Sequence, residues 1–138
     1  MGLDVGTKTV GVAVTDPLGL TAQPVTVLRR QSLKKDLAAL LSLAREREVV
    51  TFVVGLPLNM SGDEGPRALA TRKFGDALAS ASGLPVLYQD ERLTTVAAER
   101  ALLEADVSRQ RRREVVDQVA ATIILQGWLD AQPRSPTA

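Results

Sequence analysis

GLDVGTKTVGVAVTD, residues 2–16, reads as a β-hairpin that carries an acid inside its first strand. Gly2 to Val5 is a short strand, Gly6 to Thr9 holds a turn, and the β-branched alternation from Val10 to Thr15 is the returning strand. Asp4 lies between Leu3 and Val5, where a charge is costly unless it is paired or bound to metal. Its other reading is a side chain capping the turn through Gly6 and Thr7. Gly6 supplies a backbone conformation or close approach that a side chain would forbid. Thr7 and Lys8 occupy the hairpin tip, where a phosphate could meet a hydroxyl and an ammonium; for Lys8, simple solvent exposure accounts for the residue equally well.

Working outward, Asp16, Pro17 and Gly19 break the strand. Thr21 to Leu28 is rich in Val and Thr and predicts a third strand, which Pro24 places at a sheet edge. Ser32 caps a helix reaching about Glu48, since Leu33, Leu37, Leu40, Leu41 and Ala44 recur at helical spacing. Val49 to Val54 is a continuous apolar run, the signature of a strand buried on both faces. Gly55, Pro57, Gly62, Gly65 and Pro66 mark a loop, Arg67 to Ala81 a helix, and Val86 to Gln89 a fifth strand ending at Asp90 and Glu91. A helix over about 95–104 follows, then one from about Arg111 to Asp130 with an apolar stripe through Val116, Val119, Ala120, Ile123, Ile124 and Gly127. The order predicts an α/β fold. Its mixed five-stranded sheet would be an antiparallel three-strand meander plus two further strands joined through helices by right-handed crossovers.

The chain of 138 residues is expected to form one domain over 1–132, with a frayed tail at 133–138. It contains no His and no Cys, so imidazole and thiolate chemistry is excluded and a site must use oxygen ligands, hydroxyls, Lys or Arg. Nothing resembles a signal peptide or a membrane span, and the expected location is the cytoplasm. A net charge of +1 does not announce nucleic acid, but its distribution is uneven. Arg109, Arg111, Arg112 and Arg113 crowd before the last helix, and an arginine fork suits phosphate. Taken alone, the run also reads as a solvated helix start.

Three acids stand far apart, each in a segment shaped to aim it: Asp4, Glu91 in YQDERLTT, and Asp117 in EVVDQVAATIILQGWL. Hard oxygen ligands select Mg²⁺ or Mn²⁺. Glu91 ends a strand, where α/β sites collect, although a surface ion pair with a Thr helix cap reads the same residues. Asp90 reads as a fourth ligand or as a turn residue, with the turn favoured. Asp117 borders the apolar stripe, and Ala120 and Ala121 are small enough to let the helix approach the sheet. Gly55-Leu56-Pro57 and the stretch through Gly65 resemble a phosphate cradle before a helix N-terminus, with Asn59 and Ser61 placed to contact a nucleic acid backbone; a plain connecting loop is the alternative.

The element order with an acid in the first strand resembles the ribonuclease H-like fold. LDVGTKTVGVAVTD, VVGLPLNMSGDEGPRA, DERLTT and VDQVAATIILQGWL are similar to the successive motifs of the YqgF family, RuvC-related Holliday-junction resolvases also implicated in maturing the 16S ribosomal RNA precursor. The resemblance implies a nuclease that hydrolyses phosphodiester bonds with one or two Mg²⁺ or Mn²⁺ ions held by Asp4, Glu91 and Asp117. It implies nucleic acid as partner, either structured RNA or branched DNA, and a monomer or homodimer with no membrane association. Lys8, Thr7, Asn59, Arg92, Arg111, Arg112 and Arg113 are the expected nucleic-acid contacts. Two other readings stay open: a non-catalytic nucleic-acid-binding module of the same fold, and an actin-like ATP-binding fragment suggested by the DVGT hairpin. One departure stands out. The ribonuclease H arrangement places its second acid on the fourth strand, beside the first; here that strand ends in Gly55-Leu56-Pro57, so Glu91 on the fifth must reach across.

Overall fold

The fold comes from a computed structural model that describes residues 1–91 and 109–132. Five strands form one sheet in the order β3-β2-β1-β4-β5. β1 (Gly2–Val5), β2 (Thr9–Thr15) and β3 (Ala22–Arg29) are the antiparallel meander, and β4 (Phe52–Leu56) and β5 (Val86–Asp90) add in parallel on the far side of β1. Helices α1 (Leu33–Glu46) and α2 (Pro66–Ser82) make the crossovers, and α3 (Arg109–Ala131) is the last element. The helix expected over 95–104, Arg92 and the tail at 133–138 lie outside the described residues.

Strand alternation divides the chain between two faces. Leu3, Val5, Val10, Val12, Phe52 and Val54 point toward α1 and α2, where they meet Leu40, Ala44, Phe74 and Leu78. Ala13, Ala22 and Val53 point to the other face and pack on Ala121, Ile124 and Leu125 of α3. Contact on that side is close. A Cβ on Gly2 would lie 2.6 Å from Leu125 Cβ and 3.0 Å from the Ala121 carbonyl, so the missing side chain lets helix and strand meet. Ala120 and Ala121 are both buried, as their size led us to expect.

Pro24 does sit on an edge strand, and β3 bulges beside it where the register with Val12 and Ala13 shifts. Ser32 caps α1 by accepting from the Lys35 amide at 3.2 Å. The fourth strand differs from expectation, because it begins at Phe52 rather than Val49. The first residues of the apolar run are used to stop α1: Glu48 takes a left-handed conformation (φ 55°), and the Val49 amide donates to the Ala44 carbonyl at 2.8 Å. That is a Schellman closure with Glu at the position glycine usually fills, and it leaves Val50 73% exposed. From Phe52 to Leu56 every residue is buried, as the run predicts for a central strand.

Candidate active site

Asp4 leaves β1 on the α3 face, opposite to its neighbours Leu3 and Val5. The parallel register pairs Gly2 with Val53 and Leu3 with Val54, and one more step sets Asp4 beside Gly55. β4 in turn pairs Gly55 with Gln89 and Leu56 with Asp90. Glu91 follows immediately, shares the parity of Gln89 and so emerges on the same face, with its amide donating to the Leu56 carbonyl at 3.2 Å. The two acids are therefore separated by the width of β4, and the residue between them has no side chain.

That gap is occupied by Glu91. A Cβ on Gly55 would lie 2.5 Å from Glu91 Oε2 and would also strike the Ile124 side chain. The Glu91 carboxyl thus lies over the glycine, beneath α3, and forms a side-chain hydrogen bond with Asp4. Glu91 is 7% exposed, and among the described residues its buried Oε2 has no hydrogen-bond partner. Burial first, and then the neighbouring Asp4 charge and hydrogen bond, push the Glu91 carboxyl up from 4.5 to about 8, while the Arg67 charge opposes the rise. At neutral pH the metal-free pair consequently holds a proton, with Glu91 donating to Asp4.

Gly55 corrects one expectation. It is a buried residue of β4 and makes room for an acid, so it is not part of a phosphate-binding loop. Asp90 is corrected as well: it ends β5 in register with Leu56 and is not a turn residue. The reach of Glu91 across the sheet, by contrast, is what the structure shows.

Other expected residues gather at the same end of the sheet. The β1–β2 tip leaves Thr7 and Lys8 exposed, and the turn closes through the Gly6 amide on the Thr9 carbonyl at 2.8 Å. Arg30 anchors this tip: its backbone amide donates to Lys8, its Nη1 to the Gly6 carbonyl at 3.0 Å, and its Nε meets Asp36 Oδ2 at 3.2 Å. Asn59 opens the β4–α2 loop, where its amide donates to the Asp63 carbonyl at 2.9 Å and its side chain fills the space that a Cβ on Gly65 would need. Ser61 bonds Asp63 at 3.1 Å.

Asp117 lies in α3 one turn before Ala121 and two before Ile124. Later residues of α3 meet the start of the sheet, Ala121 and Leu125 at Gly2 and Trp128 in a cavity shared with Met1, whereas the side chain of Asp117 lies outside the described residues. Arg111, Arg112 and Arg113 occupy the first turns of α3. Among the described residues no group of three acids suited to a metal ion is assembled; Asp4 and Glu91 are the two brought together. One residue absent from the sequence expectations belongs here, namely Arg67 in the first turn of α2, whose charge acts on Glu91. Its signal in the sequence was only a position, just after the loop that follows the fourth strand.

The comparisons with known proteins agree with this architecture. A protein of Myxococcus xanthus is 70% identical over 95% of this chain and 87% of its own length. One of Symbiobacterium thermophilum is 62% identical over 98% of this chain and 94% of its own. Both carry the name "Putative pre-16S rRNA nuclease". Among solved structures, T. thermophilus RuvC in complex with Holliday junction substrate superposes with a TM-score of 0.56 at 15% identity, covering 94% of each chain. The fowlpox virus Holliday junction resolvase gives 0.53 at 11% identity, covering 95% of this chain and 97% of that one. At those identities the likeness is one of fold, and it establishes the ribonuclease H-like α/β architecture. A family model described as RuvX, Holliday junction resolvase, matches residues 1–131. The motifs similar to YqgF, the arrangement of the sheet and this match across nearly the whole chain converge: the protein belongs to the RuvX family.

Proposed function

We propose that this chain is a nuclease that hydrolyses phosphodiester bonds in structured nucleic acid, with the 16S ribosomal RNA precursor as substrate in the cytoplasm, and that Asp4, Glu91 and Asp117 hold Mg²⁺ or Mn²⁺. The observation that carries the reading is the buried Asp4–Glu91 pair, in which two carboxyls are forced together and Glu91 Oε2 has no hydrogen-bond partner among the described residues, an arrangement unfavourable without a ligand. Two carboxyls forced together in a poorly solvated gap attract a cation strongly, and a donor set made of oxygens alone fits a hard divalent ion. When bound, such an ion activates water and stabilises the charge that gathers on the phosphoryl group.

The chain's own residues do the rest. Asp4 and Glu91 would hold the cation once their shared proton is released, which takes the pair from net −1 to net −2. Gly55 keeps the space in which the Glu91 carboxyl lies flat over β4. Ile124, buried at 1% exposure against that carboxyl, keeps bulk water from its inner side. Thr7 and Lys8 on one side, and Asn59 on the other, are positioned to receive the flanking backbone of the substrate.

A cleavage assay tests this. A precursor 16S fragment and a four-way DNA junction are incubated with the wild type under Mg²⁺, Mn²⁺ or EDTA, alongside Asp4→Asn. The expected result is metal-dependent cutting of the RNA, lowered by at least about a hundredfold in Asp4→Asn, which loses one charged ligand and, with it, most of the transition-state stabilisation. Equal cleavage by the variant would overturn the site. Retained RNA binding without cleavage by the wild type would instead identify a binding module, and preferential cutting of the junction would reassign the substrate.

A further inference from the structure

The Asp4–Glu91 pair poses an electrostatic problem for the substrate it is proposed to cleave. A phosphodiester approaching two acids is repelled unless a cation stands at the same strand ends. The side chains nearby differ in how far they are already engaged. Arg30 is committed to Asp36, to the Gly6 carbonyl and to the Phe74 ring, whose centroid lies 5.1 Å away. Arg72 is committed to Glu64 and lies over the Tyr88 ring at 4.8 Å. Arg67 is exposed and, among the described residues, forms no ion pair.

Its placement follows from the register of α2. Thr71, Phe74, Gly75 and Leu78 are on the buried face of that helix, and Arg67 continues the same line one turn earlier. The helix begins beyond the end of β4, so this position has no core beneath it. The helix packs on β4 and β5 from the face opposite α3, and the Arg67 charge acts on Glu91 just past the end of β5. The first turn around it contains no acid, the Gly65 cap offers no side-chain acceptor, and Pro66 fills the first helical position. The Arg67 and Ala68 amides therefore have no intrahelical acceptor and carry the positive end of the helix dipole.

We propose that Arg67 is a substrate-binding residue of this site: its guanidinium receives a phosphodiester oxygen of the strand drawn across the ends of β4 and β5 beside Asp4 and Glu91. The inference rests on the nuclease reading above and adds to it the residue that offsets the acids. The forked guanidinium can donate two parallel hydrogen bonds to one phosphate, which Lys cannot do.

The test measures binding of a precursor 16S fragment in EDTA over a series of KCl concentrations, for the wild type, Arg67→Gln and Arg67→Lys. Arg67→Gln is expected to bind about tenfold more weakly, the loss of one charge-assisted hydrogen bond, and to flatten the salt slope by roughly 0.7–0.9, the loss of one phosphate contact. Arg67→Lys should restore the slope and only part of the affinity. In Mg²⁺, KM should rise in Arg67→Gln while kcat stays within about threefold and the melting temperature matches the wild type, readouts that a purely structural arginine would not separate in this way. Wild-type affinity and slope in Arg67→Gln would overturn the assignment, as would a slope in Arg67→Lys as flat as in Arg67→Gln. If the wild type binds neither RNA nor junction DNA, the nuclease reading fails and takes this inference with it; if it binds and cleaves while Arg67→Gln is unchanged, the Arg67 role alone fails.

Discussion

Replacing Gly55 with Ala probes the site without touching an acid. The added Cβ would stand 2.5 Å from Glu91 Oε2, about 1 Å inside ordinary contact, and would also strike Ile124. β4 cannot retreat, because it is hydrogen-bonded to β1 on one side and β5 on the other. The Glu91 carboxyl must therefore swing away from Asp4, or α3 must lift at Ile124. Overpacking of this kind costs about 1–3 kcal/mol, whereas Gly→Ala at an unstrained position gains at most about 1 kcal/mol through the unfolded chain. Overpacking wins. For a chain of this length each kcal/mol is worth roughly 3–5 °C, so the variant should melt several degrees below the wild type. The more specific consequence is functional: Mn²⁺ should bind Gly55→Ala at least about tenfold more weakly by calorimetry, and Mn²⁺ should raise its melting temperature less. A variant with wild-type Mn²⁺ affinity would show that Glu91 does not need the space over Gly55, and would refute the geometry on which the site is built.

Two further outcomes follow from the same structure. In EDTA the stability of the wild type should fall as pH rises from about 4.5 to about 6, because over that window the unfolded chain has released the Glu91 proton that the folded chain still holds, and should level off above about 6, where release of the buried Met1 ammonium proton offsets the Glu91 contribution; melting temperatures at pH 4.5, 5, 5.5 and 6 read the slope, and Mn²⁺ should reduce it. A flat profile would mean that Glu91 is not held against Asp4. Asp36→Ala removes a buried carboxylate that accepts from Arg30 Nε and from the Gln31 amide at 2.9 Å, and should cost about 1–3 kcal/mol with Mn²⁺ affinity unchanged; an unaltered melting temperature would remove the Arg30–Asp36 pair as the anchor of the β1–β2 tip.

Much of the fold was legible because period and punctuation agreed. β1 and β2 alternate around a Gly-containing turn, Pro24 marks an edge, and Ser32 announces a helix that five apolar residues sustain. The start of β4 was not legible, since Val49 and Val50 look like strand and nothing in the string shows that Glu48 will take the left-handed conformation glycine usually supplies. The apolar character of Val49 serves the helix closure there, by packing against the core, rather than a ladder. Hydrophobicity reports that a residue is wanted inside and does not say which element holds it.

The site was legible as acids and illegible as geometry, and Gly55 shows why. Read along the chain, a glycine before Leu56-Pro57 belongs to the loop that follows. Read across the sheet, it is the position beside Asp4 where a ribonuclease H-like enzyme would carry its second acid. Leaving that position without a side chain opens a gap one strand wide, and an acid on the next strand can fill it only if its side chain is long enough to fold back. Glu91 has that reach, whereas Asp90, one methylene shorter and on the opposite parity, does not share the face. The Glu91 carboxyl therefore lies over Gly55 of the fourth strand although its backbone follows the end of the fifth. The glycine and the longer acid form one device, and neither half of it can be identified from its own neighbours in the sequence.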